Sequence, residues 1–417
     1  MARSRSATGA GLDPASPFGS TPLSLLVLNT GSSSLKFGLF DAEARAAIVS
    51  GQVDWRDPGR PAELVVRPEH GPERRSPREV ADPGSAADLA LRAVADAAPG
   101  GSIAAIGHRI VHGGSRFRAT VRIDDAVEAE IHRLTELAPL HNPPALAALA
   151  AARRARPEVP QFASFDTTFF ADLPRSAATY PVPRGWTEDW GIRRFGFHGI
   201  SHSYCAGKAA EILGRDPGSL RLVVCHLGNG ASAAAIRGGR AVDTTMGFTP
   251  LTGLMMGTRS GSVDPGILLY VMKEKGQTVD QVDNALNHAS GLVGVSGVSA
   301  DYREVERAAG GGDDRARLAL EIYAARVRSA IGALAATLGG LDAVAFAAGV
   351  GEHSATLRAA VCADLRFLGL HLDPARNEAG PVDADIAEAG SPARILVIHT
   401  REELQIAREV RRLLGAG

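Results

Sequence analysis

The chain has 417 residues, 45% of them hydrophobic and 22% charged, with a formal net charge of −1. That is the composition of a soluble globular protein with room for two domains, and its near-neutrality excludes a surface built for nucleic acid or another polyanion. The three cysteines, Cys205, Cys225 and Cys362, share no motif spacing, which excludes a disulfide framework and a zinc site and fits a reducing compartment.

Residues 1–22, "MARSRSATGAGLDPASPFGSTP", lack the apolar middle of a signal peptide and predict a disordered tail. No run reaches the roughly 18 apolar residues of a membrane span, so a cytoplasmic protein is expected. Strands follow at 24–29, 35–41, 46–54 and 63–68. The link between the first two, in "LNTGSSSLKFGLFD", is more polar than a minimal hairpin needs. It suits a flexible loop, and it equally suits a phosphate cradle in which Gly31 admits an anion, serines donate and Lys36 supplies charge. A helix is predicted near 84–98 and a strand leads into "GHRIVHGG". An amphipathic helix over 124–138 opens on Asp124 or Asp125 and stops before Pro139, and "QFASFD" (161–166) is a strand.

The second half repeats the theme. "RLVVCHLG" (221–228) is a strand, "NGAS" a turn and "AAAIRGGRAVD" a hairpin continuation. Helices are predicted at 266–274, 280–289 and 313–338, a buried strand at 343–349, a helix over "HSATLRAAVCADL", and a final strand and helix in "RILVIHT" and "REELQIAREVRRLL". "TGSS" (30–33) and "NGAS" (229–232) lie about half a chain apart, and each follows an apolar strand and precedes a hairpin. A duplicated unit offering one glycine turn per copy would hold a phosphate between two lobes.

Four residues stand where plain core or surface would not put them. Arg109, on the half-buried strand of "GHRIVHGG", wants an anion. Asp166 ends a strand in "FDTTFF", as a turn former, an orienting group or a proton acceptor. His198 in "RRFGFHGISH" suits donation to a transferring phosphoryl group. Arg259 lies in "DTTMGFTPLTGLMMGTRSGSVDPG" (243–266), a long segment with little helix or strand character. "AAGVGEHS" (347–354) adds a Gly-rich turn at a helix N-terminus. Cations from several loops and donor-rich turns, with an oxygen-ligated Mg²⁺, suit phosphoryl transfer, which needs positioning and charge neutralisation.

These segments, with "APLHNPP", "HLGNGAS" and "TREEL", occur in the order and spacing of the acetate and propionate kinase (acetokinase) family, which the chain resembles from about residue 24 onward. The resemblance implies an α/β, two-lobed, duplicated sugar-kinase/actin/heat-shock-chaperone-like (ribonuclease H-like) fold with an interdomain cleft. The lobes would be 23–168 plus the C-terminal helix 403–417, and a nucleotide-binding lobe of 169–402. It implies transfer of the γ-phosphoryl group of ATP to acetate, reversibly, with Mg²⁺ (or Mn²⁺), in a homodimer that binds neither nucleic acid nor membrane.

Roles carried over by this resemblance fall on matching positions only. Asn29 and Glu402 would lie near the metal. Ser32, Ser34 and Lys36 would form the first phosphate turn, and His226, Leu227, Gly228, Asn229 and Gly230 the second. Asp301, Tyr302 and Arg303 would contact adenosine, above a turn of Gly349, Val350, Gly351, Glu352 and His353. Arg109 and Arg259 would hold the acid and the transferring group, His198 would stabilise the transition state, and Asp166 would take the acid/base position as an orienting group. Val111, Leu140, Phe197 and Pro250 would enclose the acyl methyl. The chain departs from the family's usual residues at Arg401 and His353 (asparagine), Thr252 (glutamate), Ser262 (aspartate) and Phe170 (histidine). Propionate kinase is the close alternative, since one methylene is worth only about 1–3 kcal/mol. A sugar kinase of the same fold would not need two arginines at the acceptor, and a non-enzymatic ATP-binding module would show no acid-dependent turnover.

Overall fold

Alternating apolar residues turn the first part of the chain into a meander. In the computed structural model, which describes residues 23–31, 33–55 and 60–415, each of the first five strands runs antiparallel to the next. They are β1 (Leu23–Thr30), β2 (Ser34–Phe40), β3 (Ala47–Asp54), β4 (Ala62–Pro68) and β5 (Arg74–Arg78). β6 (Ser102–Ile110) joins β1 in parallel, and β7 (Val121–Arg122) forms an edge on β8 (Gln161–Phe165), which lies parallel to β6. The strand order is 5-4-3-2-1-6-8-7. The tail expected over 1–22 and Ser32 of the first turn lie outside the described residues.

The second sheet repeats this plan. β9 (Arg221–Leu227), β10 (Ala231–Arg237) and β11 (Arg240–Thr244) form an antiparallel meander. β12 (Ala343–Ala347) lies parallel to β9, and β13 (Ala384–Asp385) edges β14 (Arg394–Ile398), which lies parallel to β12. The order is 11-10-9-12-14-13. Thus 3-2-1-6-8 in one sheet recurs as 11-10-9-12-14 in the other, with the same strand directions. The echo between "TGSS" and "NGAS" marks equivalent hairpins of a duplicated α/β unit.

Apolar faces fix the layering. Helices Pro83–Ala97 and Asn142–Ala155 cover one face of the first sheet, and Asp314–Leu338 covers the outer face of the second. Helices Gly199–Leu213 and Glu402–Leu414 lie between the sheets, in an apolar layer shared by Leu25, Val27, Cys205, Val224, Leu396 and Ile406. All three cysteines are buried and unpaired. Among the described residues no helix is long and apolar enough to cross a membrane.

The helix predicted over 124–138 is α-helical at Asp125–Arg133 and tightens to a 3₁₀ turn through Leu137; Asp124 caps it, accepting from Val127 N–H at 2.8 Å. The strand predicted to reach 349 stops at Ala347, where Ala348 takes φ 64° and opens the short helix Ala348–His353. Helices Asn142–Ala155 and Gly199–Leu213 are not among the predicted elements. The first hides behind Pro143 and Pro144, which occupy its first turn. The second is buried on two sides between the sheets, so its sequence carries no amphipathic stripe.

Candidate active site

The hairpin after β1 and the hairpin after β9 face one cavity of about 550 Å³ between the two sheets. Asn29, Ser34 and Lys36 reach it from the first, and His226, Gly228, Asn229 and Gly230 from the second. Gly349, Glu352 and His353 close one end. Arg109, Val111, Asp166, Phe197, His198, Pro250 and Arg259 form the other, and Glu402 stands at the first hairpin.

Arg109 leaves the end of β6 beside Asp166 at the end of β8. Its Nε donates to Asp166 Oδ1 at 3.0 Å and its Nη2 to Oδ2 at 2.5 Å, a two-pronged pair that fixes the guanidinium plane. Its Nη1 donates to Asn29 Oδ1 at 3.2 Å, while Asn29 Nδ2 donates to Glu402 at 2.9 Å and Glu403 at 2.7 Å. Burial pushes the Asp166 carboxyl up and Arg109 pulls against it. Burial pushes Glu402 up as well, yet Arg109, His226 and Lys36 outweigh it and hold that carboxyl well below its ordinary value.

His198 owes its position to a close approach. Gly199 N–H donates to Asp166 O at 2.9 Å, and a Cβ on Gly199 would stand 2.2 Å from that oxygen, so only glycine fits. His198 itself takes φ 56° as the helix cap, a left-handed conformation held by its surroundings. Its ring stacks on His226 at 4.2 Å, and its Nδ1 lies 2.9 Å from Ser232 Oγ.

Arg259 sits in the segment between Thr244 and Pro265, which has no regular secondary structure, as expected. Gly257 ties this segment to the second hairpin: its N–H donates to Asn229 O at 3.1 Å, and a Cβ there would fall 2.4 Å from Asn229 Oδ1. Arg259 Nη1 donates to Pro250 O at 2.9 Å, and Nη2 would stand 3.8 Å from a Cβ on Gly230. Among the described residues no carboxylate pairs with Arg259, and burial lowers its pKa. Arg109 and Arg259 both act on His141, which burial and then these two cations push down to about 4.

Several expected residues lie elsewhere. Leu140 is 48% exposed and off the cavity wall; its neighbour His141 lines the wall instead. Leu227 and Gly351 are buried behind their turns, and Val350 does not reach the lining. Tyr302 packs on Tyr323 and lines a separate cavity, and Arg303 donates to Asp301 at 3.0 Å. Glu352 is on the wall, but its carboxylate accepts from His399 Nδ1 at 2.7 Å and Thr400 N–H at 3.1 Å. Of the substituted positions, Thr252 and Ser262 share a hydroxyl–hydroxyl bond of 2.9 Å, Arg401 donates to Tyr204 and Asp383, and Phe170 is buried against His202. His141, His399, Thr400 and Glu403 were not singled out by sequence, although His141 stands inside "APLHNPP".

Among the described residues no group of three or more His, Cys, Asp or Glu could hold a metal unaided. Glu402, Glu403 and Asn29 instead offer a few hard oxygens beside the first hairpin. That donor set fits Mg²⁺, which keeps waters and phosphate oxygens as ligands.

Duplicated sheets meeting at a donor-rich cleft put the protein among the two-lobed α/β phosphotransferases. The chain belongs to the acetokinase family, whose model matches residues 24–408. It is 49% identical to an acetate kinase of Gloeobacter violaceus over 93% of this chain and 98% of that one, and 48% identical to one of Nostoc punctiforme over 94% and 100%. Its structure resembles the crystal structure of Porphyromonas gingivalis acetate kinase (TM-score 0.84, 38% identity, 94% of this chain and 100% of that chain). It is similar too to a propionate kinase from Francisella tularensis (TM-score 0.85, 36% identity, 93% and 98%).

Proposed function

We propose that the chain is an acetate kinase, transferring the γ-phosphoryl group of ATP to acetate to give acetyl phosphate and ADP, and the reverse. One observation carries the reading: Arg109 and Arg259 line a single open cavity with His198, beside two phosphate-facing hairpins. A carboxylate oxygen attacks the γ-phosphorus in line, the bond to the β–γ bridging oxygen breaks, and ADP leaves with that electron pair. The acid is already ionised near pH 7, so the site needs no general base and Asp166 serves to orient Arg109. Arg259, with no carboxylate partner among the described residues, lends its charge to the transferring group, and His198 hydrogen-bonds its oxygens.

Val111, Phe197 and Pro250 give the methyl group an apolar wall. Lys36 and the Gly228–Gly230 turn face the phosphates, and Gly349, Glu352 and His353 the nucleoside side. Asn29 and Glu402 would hold Mg²⁺ through their oxygens or its waters. When bound, the ion neutralises phosphate charge. The helix Pro265–Lys275 buries none of its residues and exposes Ile267, Leu269 and Tyr270, which supports pairing with a second copy.

A hydroxamate assay with ATP and MgCl₂ across acetate, propionate and butyrate tests the reading. Acetate is expected to be preferred; a preference for propionate would move the chain to the other branch of its family. Arg259→Ala is expected to lower kcat by about 10²–10³-fold in a folded protein. Near-wild-type turnover in that variant refutes the assignment.

A further inference from the structure

The hydroxyl of Ser232 stands between two imidazoles. It is 2.9 Å from His198 Nδ1 and 2.8 Å from His202 Nε2, and Ser232 and His202 are completely buried. His202 follows His198 by one helical turn, and Ser232 is the second residue of β10, the returning strand of the second hairpin. Burial, reinforced by His226, Arg109 and Arg259, pushes His198 well below its ordinary value; burial takes His202 down to about 3. Both rings are therefore neutral near pH 7, and each carries one N–H.

A hydroxyl has one hydrogen, so it donates to one imidazole and accepts from the other. If it donated to His202 Nε2, the remaining N–H of His202 would lie on Nδ1, which is buried with no hydrogen-bond partner. A buried donor without an acceptor is rarer and costlier than an idle lone pair. The same arrangement would turn the bare Nε2 of His198 toward incoming phosphate oxygens. We infer that Ser232 and His202 fix the tautomer of His198. His202 Nε2–H donates to Ser232 Oγ, Ser232 O–H donates to His198 Nδ1, and His198 Nε2–H is left for the cleft. That nitrogen would stand 3.3 Å from a Cβ on Gly230, at the phosphate-facing turn. Ser232 and His202 are thus positioning residues for a donor that needs no proton transfer to be ready. The inference rests on the proposed role of His198 as donor to the transferring phosphoryl group.

Long-range ¹H–¹⁵N correlation spectra of the ¹⁵N-histidine-labelled wild-type protein read the tautomers directly, with His198 assigned through its missing signals in His198→Gln. The expected result is His198 protonated on Nε2 and bare on Nδ1 at neutral pH. Protonation on Nδ1, or on both nitrogens, overturns the inference. In Ser232→Ala the Nε2–H tautomer is expected to lose its dominance and kcat to fall about 10- to 100-fold, with KM for ATP and acetate within about twofold. Ser232→Thr, which keeps the hydroxyl, should restore both readouts. Unchanged kcat in Ser232→Ala while His198→Ala is inactive overturns the relay and spares the proposed function. Unchanged kcat in His198→Ala overturns the reading beneath both. Should Ser232→Ala not fold, the wild-type spectrum alone decides.

Discussion

Arg109 and Arg259 carry the same group into one cavity but in different electrostatic states. Asp166 already compensates Arg109 and fixes its plane, whereas among the described residues the Arg259 guanidinium donates to the Pro250 carbonyl and pairs with no carboxylate. Geometry is thus built into one guanidinium and available charge into the other, which is why alanine at 259 is expected to act on kcat. His399 supplies a different residue-scale test. Its hydrogen bond to Glu352 raises its pKa above 6.5, so the stabilisation it contributes is whole below 6.5 and is lost as pH rises through the folded value. Wild-type Tm is therefore expected to fall as the pH is raised above 6.5. His399→Gln should flatten that slope in differential scanning fluorimetry; an unchanged slope would show that the pair does not couple to folding.

At the level of elements, the start of helix Gly199–Leu213 links catalysis to packing. Its first N–H is bound to Asp166 O at 2.9 Å, so the helix that follows His198 is tied to the strand end that carries Asp166. In Gly199→Ala the new methyl would meet that backbone oxygen at 2.2 Å, and neither partner is a flexible side chain. A loss of about 1–3 kcal/mol in thermal unfolding is expected. A fall in kcat of about 100-fold should accompany it, because a displacement of an ångström at the ring is enough. The segment through Arg259 behaves alike: it lacks helix and strand, yet Gly257 ties it to the second hairpin through Asn229 O, and Met256, Gly257, Thr258 and Ser260 tie it to the backbone of Leu286, Ser290, Leu292 and Val293. Its buried Met246, Leu254 and Met256 explain why so many apolar residues appear in a stretch that reads as loop.

Across the whole molecule, the cleft lies between equivalent hairpins of two copies of one α/β unit, and helices Gly199–Leu213 and Glu402–Leu414 fill the layer between the sheets. The exposed helix Pro265–Lys275 is one feature this arrangement leaves partly unsatisfied, because it buries none of its residues and a helix of that length gains little stability without packing. Sedimentation of the wild type at twice the chain mass of 43.4 kDa is expected, and Ile267→Glu should shift it to the single mass without loss of helix content. A wild type that sediments as a monomer would end the dimer proposal.

Local patterning by itself determined most strands, fewer than half of the helices and the two glycine turns, because alternation, caps and breakers act over a few residues. It also singled out Arg109, Asp166, His198 and Arg259, whose types are out of place on plain strands and loops. Tertiary structure alone decided which of the carried-over residues reach the cavity. Leu140 is turned to solvent while His141 is turned inward, one position apart, and Arg303 is engaged by Asp301. Only the folded chain brings Ser232 to His198 and His202, since the contact joins a strand of the second sheet to a helix packed between the sheets. Such pairings depend on the register and stacking of distant elements, and no window of sequence carries that information.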